Sequence, residues 1–368
     1  KHANVHVIMT ENACNFINPI TFETLTGNKC LVDTFDRNFQ FNVEHVSLAK
    51  LADIFLVAPA SADVIGKIAN GIADDMLTTT IMACKCPKLI SPAMNTNMFT
   101  NPIVQDNLKK LEHYGYEIIQ PDSGYLACGD TGAGKMPSEQ VLLNYILRTI
   151  AKDKDMAGIK LTVTAGPTRE KLDPVRFLSN NSTGKMGYAI AKMAMLRGAD
   201  VTLISGKVSL EPVPFVKMVD IVSAEDMYNA VIKSAKDADI IIKAAAVADY
   251  RPSDVSDEKI KKKDGDMSIP LERTKDIIGT LGSSKRDGLF LCGFSMETEH
   301  MLDNSKVKLT KKNLDMIVAN NVKVAGAGFG TDTNVVTVIT KDAVEELPMM
   351  SKEEVADALL DRIMKARQ

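Results

Sequence analysis

Lys160-Leu-Thr-Val-Thr-Ala165 runs into Gly166-Pro167-Thr168 and a loop of small polar residues, then a helical pattern at 185–197 and a second apolar run at 201–205. Taken together, the chain's apolar runs are rich in Val and Ile and lack clean alternation, although 160–165 itself alternates. Strands buried on both faces read this way, so the unit is a strand, a covering helix and a parallel strand. The helical stretch carries Met186, Ile190, Met193, Ala194 and Leu196 on one stripe. The same alternation extends in both directions. Further candidate strands lie at 5–10, 54–59, 88–92, 117–120, 239–246, 289–294, 316–319 and 334–340. Two helices open with capping-box patterns, Ser223-Ala-Glu-Asp226 and Ser351-Lys-Glu-Glu354.

The implied fold class is α/β, with two doubly wound, mainly parallel-sheet (Rossmann-like) domains. At about 150 residues per domain, 368 residues suit two. The charged stretch at 151–158 reads as a linker between domains at 1–150 and 159–368. With 45% hydrophobic and 25% charged residues, the chain is neither disordered, collagen-like nor a disulfide framework. A net charge of −3 leaves no footprint for bulk nucleic-acid binding. No apolar run reaches the roughly 20 residues that span a membrane. The cysteines are scattered, which suits a reducing cytoplasm. Cys84 and Cys86 form a CxC with no second pair at ligand spacing, so no structural zinc is expected.

In the first half, four segments fall beyond strand ends or at helix starts, where ligands bind in open α/β sheets. They are Glu44-His45-Val46-Ser47, Ala58-Pro59-Ala60-Ser61-Ala62-Asp63, Pro92-Ala93-Met94-Asn95 and Ala127-Cys128-Gly129-Asp130-Thr131-Gly132-Ala133-Gly134. Each has a plain reading. A lone histidine is usually structural, a lone loop cysteine is usually inert, and Ser61 can simply cap a helix.

In this order and combination the four segments resemble the flavin-dependent cysteine decarboxylase family. The resemblance implies a flavoprotein-type domain that binds FMN, through Thr10, Ala60 and Ser61, and decarboxylates 4′-phosphopantothenoylcysteine. Loss of CO2 leaves electrons on a carbon with no sink; oxidation of CH2–SH to a thioaldehyde by the flavin supplies one. His45 is then the acid/base near the thiol. Asn95 holds the substrate carboxylate and amide, and Cys128 protonates the enethiol from a glycine-rich flap while the reduced flavin returns its hydride. In that family a further strand and a Gly/Ser-rich turn precede the point where this chain starts, and help hold the FMN phosphate.

In the second half the Gly184-Lys185 pair invites a P-loop reading. It fails, because Ser179 stands where Walker A needs Gly and Met186 where it needs Ser or Thr. A dinucleotide fingerprint fails as well, since Gly166 is followed by Pro and Thr. What remains is a small polar loop opening a helix, with Lys185 in its first turn, suited to phosphate or carboxylate. Downstream stand Lys243-Ala-Ala-Ala-Val-Ala-Asp249-Tyr250, Glu258-Lys259-Ile260-Lys261-Lys262-Lys263, Arg273-Thr274-Lys275-Asp276-Ile277, Gly293-Phe294-Ser295-Met296, and Lys308 with Lys312 on one helix face. Taken alone, the lysine run at 259–263 reads as a solvated loop.

Over nearly all of 157–368 this set resembles phosphopantothenate–cysteine ligase. Behind the decarboxylase-like half, it resembles the bacterial bifunctional coenzyme A biosynthesis family, whose ligase uses CTP. The resemblance implies that the phosphopantothenate carboxylate attacks the CTP α-phosphate. Pyrophosphate leaves, and cysteine displaces CMP from the acyl-cytidylate. Such chemistry needs cations around a polyphosphate. Lys259 is assigned to the α-phosphate, with Lys308 and Lys312 on the triphosphate and Mg2+ assisting. Asp249 and Phe294 frame the nucleotide, and Thr274, Lys275, Asp276 and Ile277 read it. Asn180 holds the acyl intermediate, with Arg176 beside it. Met296 stands where alanine is more usual.

The substrates implied are phosphopantothenate, cysteine, CTP and phosphopantothenoylcysteine, with no nucleic acid or membrane partner. The resemblance also implies a homo-oligomer, with trimeric decarboxylase contacts and dimeric ligase contacts that combine into a dodecamer. Two competing readings are a flavoprotein-fold regulatory subunit, which retention of His45, Asn95 and Cys128 opposes, and a nicotinamide-dependent dehydrogenase, which lacks its glycine fingerprint.

Overall fold

The computed structural model describes residues 3–35, 44–126, 129–261, 267–297, 301–321, 328 and 330–367. Two compact units divide the chain between Ala151 and Lys152.

In the first unit three parallel strands lie in the order Phe55–Ala60, Lys88–Pro92, Glu117–Ile118. Val57, Ile90 and Ile118 pack on one face against Ile65 and Ile68 of helix Ala62–Ala69 and Leu108 of helix Pro102–His113. Leu89 and Ile119 pack on the other face against Leu142 of helix Glu139–Ile150. Helices on both faces explain why these strands read as unbroken apolar runs. An antiparallel hairpin follows, Asp122–Tyr125 with Thr131–Lys135.

The strand expected at 5–10 is not formed. One parallel bridge, Ile8 with Leu31, stands in its place, through Met9 N–H to the Leu31 carbonyl (2.9 Å) and Leu31 N–H to the Val7 carbonyl (3.0 Å). An apolar run becomes a strand only where a partner continues the ladder, and here Leu31 is followed by an exposed turn.

The second unit is built on an eight-stranded sheet. Its spatial order is Lys217–Asp220, Asp200–Ser205, Lys160–Ala165, Ile240–Lys243, Phe290–Glu297, Met316–Asn321, Val336–Ile339, Val344–Glu346. The first six strands are parallel. The last two are antiparallel, which departs from the parallel reading of the run at 334–340. That run joins the sheet edge and returns through a tight turn, so no covering helix is needed. Helix Lys185–Leu196 lies directly on the first strand. A Cβ on Gly187 would stand 2.6 Å from the Ala165 Cβ, so glycine permits the approach. Both capping boxes form, Ser223 with Asp226 and Ser351 with Glu354.

The strand order reverses between Lys160–Ala165 and Ile240–Lys243. That is the switch point, where a crevice opens at the carboxyl ends of the strands. The strand expected at 239–246 ends there at Lys243, because the Ala245 N–H turns to the Thr164 Oγ1 (3.1 Å). The charged stretch after Ala151 is fastened to the second unit: Met156 is buried, and its N–H donates to the Arg197 carbonyl (3.0 Å). Arg197 pairs in turn with Asp155 and Asp361. No helix among the described residues is long and apolar enough to cross a membrane.

Candidate active sites

In the first unit, loops at two neighbouring strand ends and the hairpin are tied together. The Ala93 N–H donates to the Ala60 carbonyl (3.0 Å), and the Met94 N–H to the Gly134 carbonyl (3.0 Å). Asn95 caps the short helix Thr96–Phe99 through its Oδ1, leaving its Nδ2 to donate to Asp130 Oδ2 at 3.1 Å. So Asn95 and the glycine-rich flap, far apart in sequence, meet. Gly134 makes the contact possible: its φ is 135°, and a Cβ there would collide with the Met94 carbonyl. Cys128 lies outside the described residues. The Leu126 N–H donates to the Asp130 carbonyl (2.8 Å).

Ala60 is buried and Ser61 is exposed, with its Oγ spent on capping helix Ala62–Ala69 at Val64 N–H (3.3 Å). Thr10 likewise caps the short helix Glu11–Asn15. His45 sits half-buried in the first turn of helix Glu44–Leu51, which packs on helix Met76–Ala83. The described contacts do not join His45 to Asn95. Two polar atoms near this region, Ser91 Oγ and Thr96 Oγ1, are buried without a hydrogen-bond partner.

In the second unit the loop at 244–249 gathers three other segments. Asn180 Nδ2 donates to the Ala246 carbonyl (2.7 Å), and its Oδ1 accepts from the Ser182 N–H (3.0 Å). The Ala248 N–H donates to Thr168 Oγ1 (3.0 Å). Thr274 donates from its hydroxyl to the Ala248 carbonyl (2.6 Å) and from its N–H to the Asp249 carbonyl (3.0 Å). Asn180, Asp249 and Thr274 are therefore neighbours at the switch point.

Asp276 caps helix Ile277–Ser283 and pairs with Lys312 Nζ at 3.0 Å. Burial opposes its ionisation, but Lys312 and the Gly279 N–H outweigh it and hold the carboxyl below the usual range. Lys308 is exposed on helix Met301–Lys311, one turn before Lys312. Phe294 is half-buried and Ile277 is buried. Lys275 turns elsewhere, pairing with Glu225 (2.7 Å) and lying over the Tyr228 ring.

Lys259 is exposed on a loop tied to the turn at 173–176. The Ile260 N–H donates to Asp173 Oδ2 (3.2 Å), and Arg176 Nη2 donates to the Ile260 carbonyl (3.0 Å). Arg176 is thus brought near Lys259, but its guanidinium is bound to Asp173 at 2.7 and 3.0 Å. Lys185, expected as an anion cradle, pairs with Asp332 (2.7 Å) and the Gly330 carbonyl.

Three residues were given no role by the sequence reading. Asp173 organises the Arg176 turn and the Lys259 loop together. Lys243 ends the central strand amid the Asp276 and Lys312 charges. Asn320, at the end of strand Met316–Asn321, buries an Oδ1 with no partner. The available signal was a polar residue closing an apolar strand run, as in Ile240-Ile-Ile-Lys243.

A model of the DNA/pantothenate metabolism flavoprotein C-terminal domain matches residues 156–366, and a flavoprotein model matches residues 1–151. The coenzyme A biosynthesis bifunctional protein CoaBC of Bacillus subtilis (strain 168) is 47% identical over 365 residues, 98% of this chain and 90% of that protein. Its counterpart in Escherichia coli (strain K12) is 40% identical over 365 residues, again 98% of this chain and 90% of that one. A crystal structure of the C-terminal domain of a coenzyme A biosynthesis bifunctional protein CoaBC covers 58% of this chain and 97% of that one, at 44% identity and a TM-score of 0.50. With one family model on each half and relatives matched along almost its whole length, the chain belongs to the family of bifunctional coenzyme A biosynthesis proteins.

Proposed function

We propose that the second unit joins cysteine to 4′-phosphopantothenate at the expense of CTP and that the first unit decarboxylates the product to 4′-phosphopantetheine. The observation that carries the reading is the convergence of Asn180, Asp249 and Thr274 on one loop at the switch point. Asp276 caps the neighbouring helix and pairs with Lys312.

In the second unit the chain supplies fixed polar groups and cations rather than a nucleophile. Lys308, Lys312 and Lys259 hold the triphosphate and offset charge that builds on the α-phosphate. Asn180 positions the acyl phosphate, and Arg176 acts by shaping the loop that carries Lys259. Mg2+ bound with the nucleotide would offset part of the triphosphate charge. Among the described residues no group of three or more His, Cys, Asp or Glu is placed to hold a metal.

In the first unit the backbone ties from Ala93 to Ala60 and from Met94 to Gly134 support a ring-binding edge beside the Pro92–Asn95 loop. FMN would lie against Thr10, Ala60 and Ser61. Bound FMN would supply the oxidation that turns the cysteinyl carbon into an electron sink and, once reduced, the hydride that restores the thiol. Asn95 orients the substrate carboxylate, His45 exchanges a proton at the thiol, and Cys128 returns one to the product carbon. Exposed Phe16, Ile20 and Leu25 support a homo-oligomer through the first unit; trimeric contacts there, dimeric ligase contacts and a dodecamer are what the family resemblance implies. Free Cys14, Cys30, Cys84, Cys86 and Cys292 support a cytoplasmic setting.

The test incubates the chain with FMN, Mg2+, phosphopantothenate, cysteine and either CTP or ATP, and follows pyrophosphate, nucleoside monophosphate and CO2 separately. Pyrophosphate, CMP and CO2 in equal amounts, with CTP preferred, are expected. No nucleotide product would remove the ligase assignment. Nucleotide products without CO2 would remove the decarboxylase assignment.

A further inference from the structure

Helix Met76–Ala83 ends at Cys84, and strand Lys88–Pro92 begins just after Cys86. Both flanks are held. The Cys84 N–H donates to the Thr80 and Ile81 carbonyls (3.1 and 3.3 Å), and the Pro87 carbonyl accepts from the Phe55 N–H (2.9 Å). Cys84 is extended, with φ −72° and ψ 137°. In extended chain, residues i and i+2 share a face, so the two thiols turn to the same side of exposed Lys85. Both thiols are free, and they are hydrogen-bonding neighbours.

The two differ in access: Cys84 is buried and Cys86 is half-buried. Burial, and then Cys86, push the Cys84 thiol up to about 11. The Lys88 ammonium acts in the opposite sense on that thiol. Lys88 is itself fixed, donating to the Cys86 carbonyl (3.2 Å) and lying 5.4 Å from the centroid of the Tyr116 ring. A reachable thiol, a second thiol behind it and a fixed cation form the layout of an attacking and a resolving cysteine. Neither thiol takes part in the ligase or decarboxylase chemistry above.

We propose that Cys84 and Cys86 form a dithiol exchange site for low-molecular-weight disulfides. The Cys86 thiolate attacks one sulfur of R–S–S–R, forming Cys86–S–S–R and releasing R–S−, which takes up a proton. Cys84 then gives its proton to water beside Lys88, and its thiolate attacks the Cys86 sulfur. The second R–S− leaves and is protonated. Two protein thiols are oxidised to one disulfide, and the small disulfide is reduced to two thiols. Two residues of chain reach at most about 7 Å, the wide end of the Cα spacing that a disulfide tolerates. The bridge therefore closes under strain and is readily reduced again, which suits exchange rather than permanent cross-linking.

In the test, the full chain is reduced, freed of reductant and incubated with oxidised glutathione. It is then denatured in iodoacetamide and cut with trypsin. Cleavage after Lys85 separates the two cysteines, so a bridge retains the fragment Cys86-Pro87-Lys88 on the peptide that ends at Lys85. The wild type is expected to give that linked pair, with two glutathiones released per bridge and full reversal by dithiothreitol. Cys84→Ala should stop with glutathione on Cys86, and Cys86→Ala should leave Cys84 alkylated. Lys88→Met should slow closure about tenfold, with the mixed disulfide on Cys86 building up. A wild type in which both cysteines come back alkylated would overturn the proposal, as would one in which glutathione stays on Cys86 without closure. Should Cys84→Ala fail to fold, the linked pair in the wild type and the build-up in Lys88→Met still decide.

Discussion

At the scale of single residues, Asp173 carries more than its place in a short turn suggests. Its buried carboxylate accepts from Arg176 and from the N–H groups of Val175, Arg176 and Ile260. The Arg176 bonds first, then those amides, hold its pKa well below the usual carboxylate range. A depressed folded pKa contributes stability that is present above the unfolded value of about 3.9 and is lost as pH falls through the native value. Asp173→Asn should therefore lower the denaturant midpoint at about pH 6, with the gap to wild type closing below about pH 4. The Lys259 loop loses its anchor in the same variant, so pyrophosphate release should fall roughly 10- to 100-fold. Equal midpoint gaps at both pH values would show that the charge is not what matters. Gly134 is the corresponding point in the first unit. With φ at 135° and the Met94 carbonyl against it, Gly134→Ala should cost about 1–3 kcal/mol. CO2 release should drop while pyrophosphate release continues; an unchanged decarboxylation rate would separate the flap base from catalysis.

At the scale of elements, what was legible in the sequence was local. Helix Lys352–Ala366 announced itself by Ser351 and Glu354, and the box forms with the Ser351 Oγ accepting the Glu354 N–H (3.2 Å). Ser351→Ala should destabilise the second unit by about 1 kcal/mol in urea unfolding, and Ser351→Asp should restore most of it. A loss of less than about 0.3 kcal/mol would mean that the packing of buried Leu359, Leu360 and Ile363 alone defines the helix start. The parallel strands were legible for the same reason, since burial on both faces leaves unbroken Val and Ile runs. What the pattern could not convey was pairing. The run at 5–10 has the composition of a strand but meets one bridge at Leu31, and the run at 334–340 joins its sheet antiparallel. Both outcomes depend on which distant segment lies alongside. The candidate sites divide in the same way. Asn95 and Asn180 stood in local motifs, whereas the Asp276–Lys312 pair and the charge around Lys243 arise from segments brought together only by the fold.

At the scale of the whole molecule, the residues of the two candidate sites lie in separate compact units of the chain. The reactions should then be separable by single substitutions. Asn95→Ala removes the group tied to the flap in the first unit. Supplied with CTP, phosphopantothenate, cysteine and FMN, it should release pyrophosphate at the wild-type rate and accumulate phosphopantothenoylcysteine without CO2. Lys312→Ala removes a triphosphate cation in the second unit. Its partner Asp276 is about half exposed, so no buried carboxylate is stranded. It should fail to release pyrophosphate yet still decarboxylate phosphopantothenoylcysteine added to it. Mixing the two variants tests how the units communicate. If the intermediate diffuses between sites, the mixture should evolve CO2 from the starting substrates after a lag that shortens as protein concentration rises. If the mixture makes phosphopantothenoylcysteine but no CO2, although Lys312→Ala consumes the added compound, the product must pass between sites without mixing into solution. Two independent units sharing one chain would then be the wrong description.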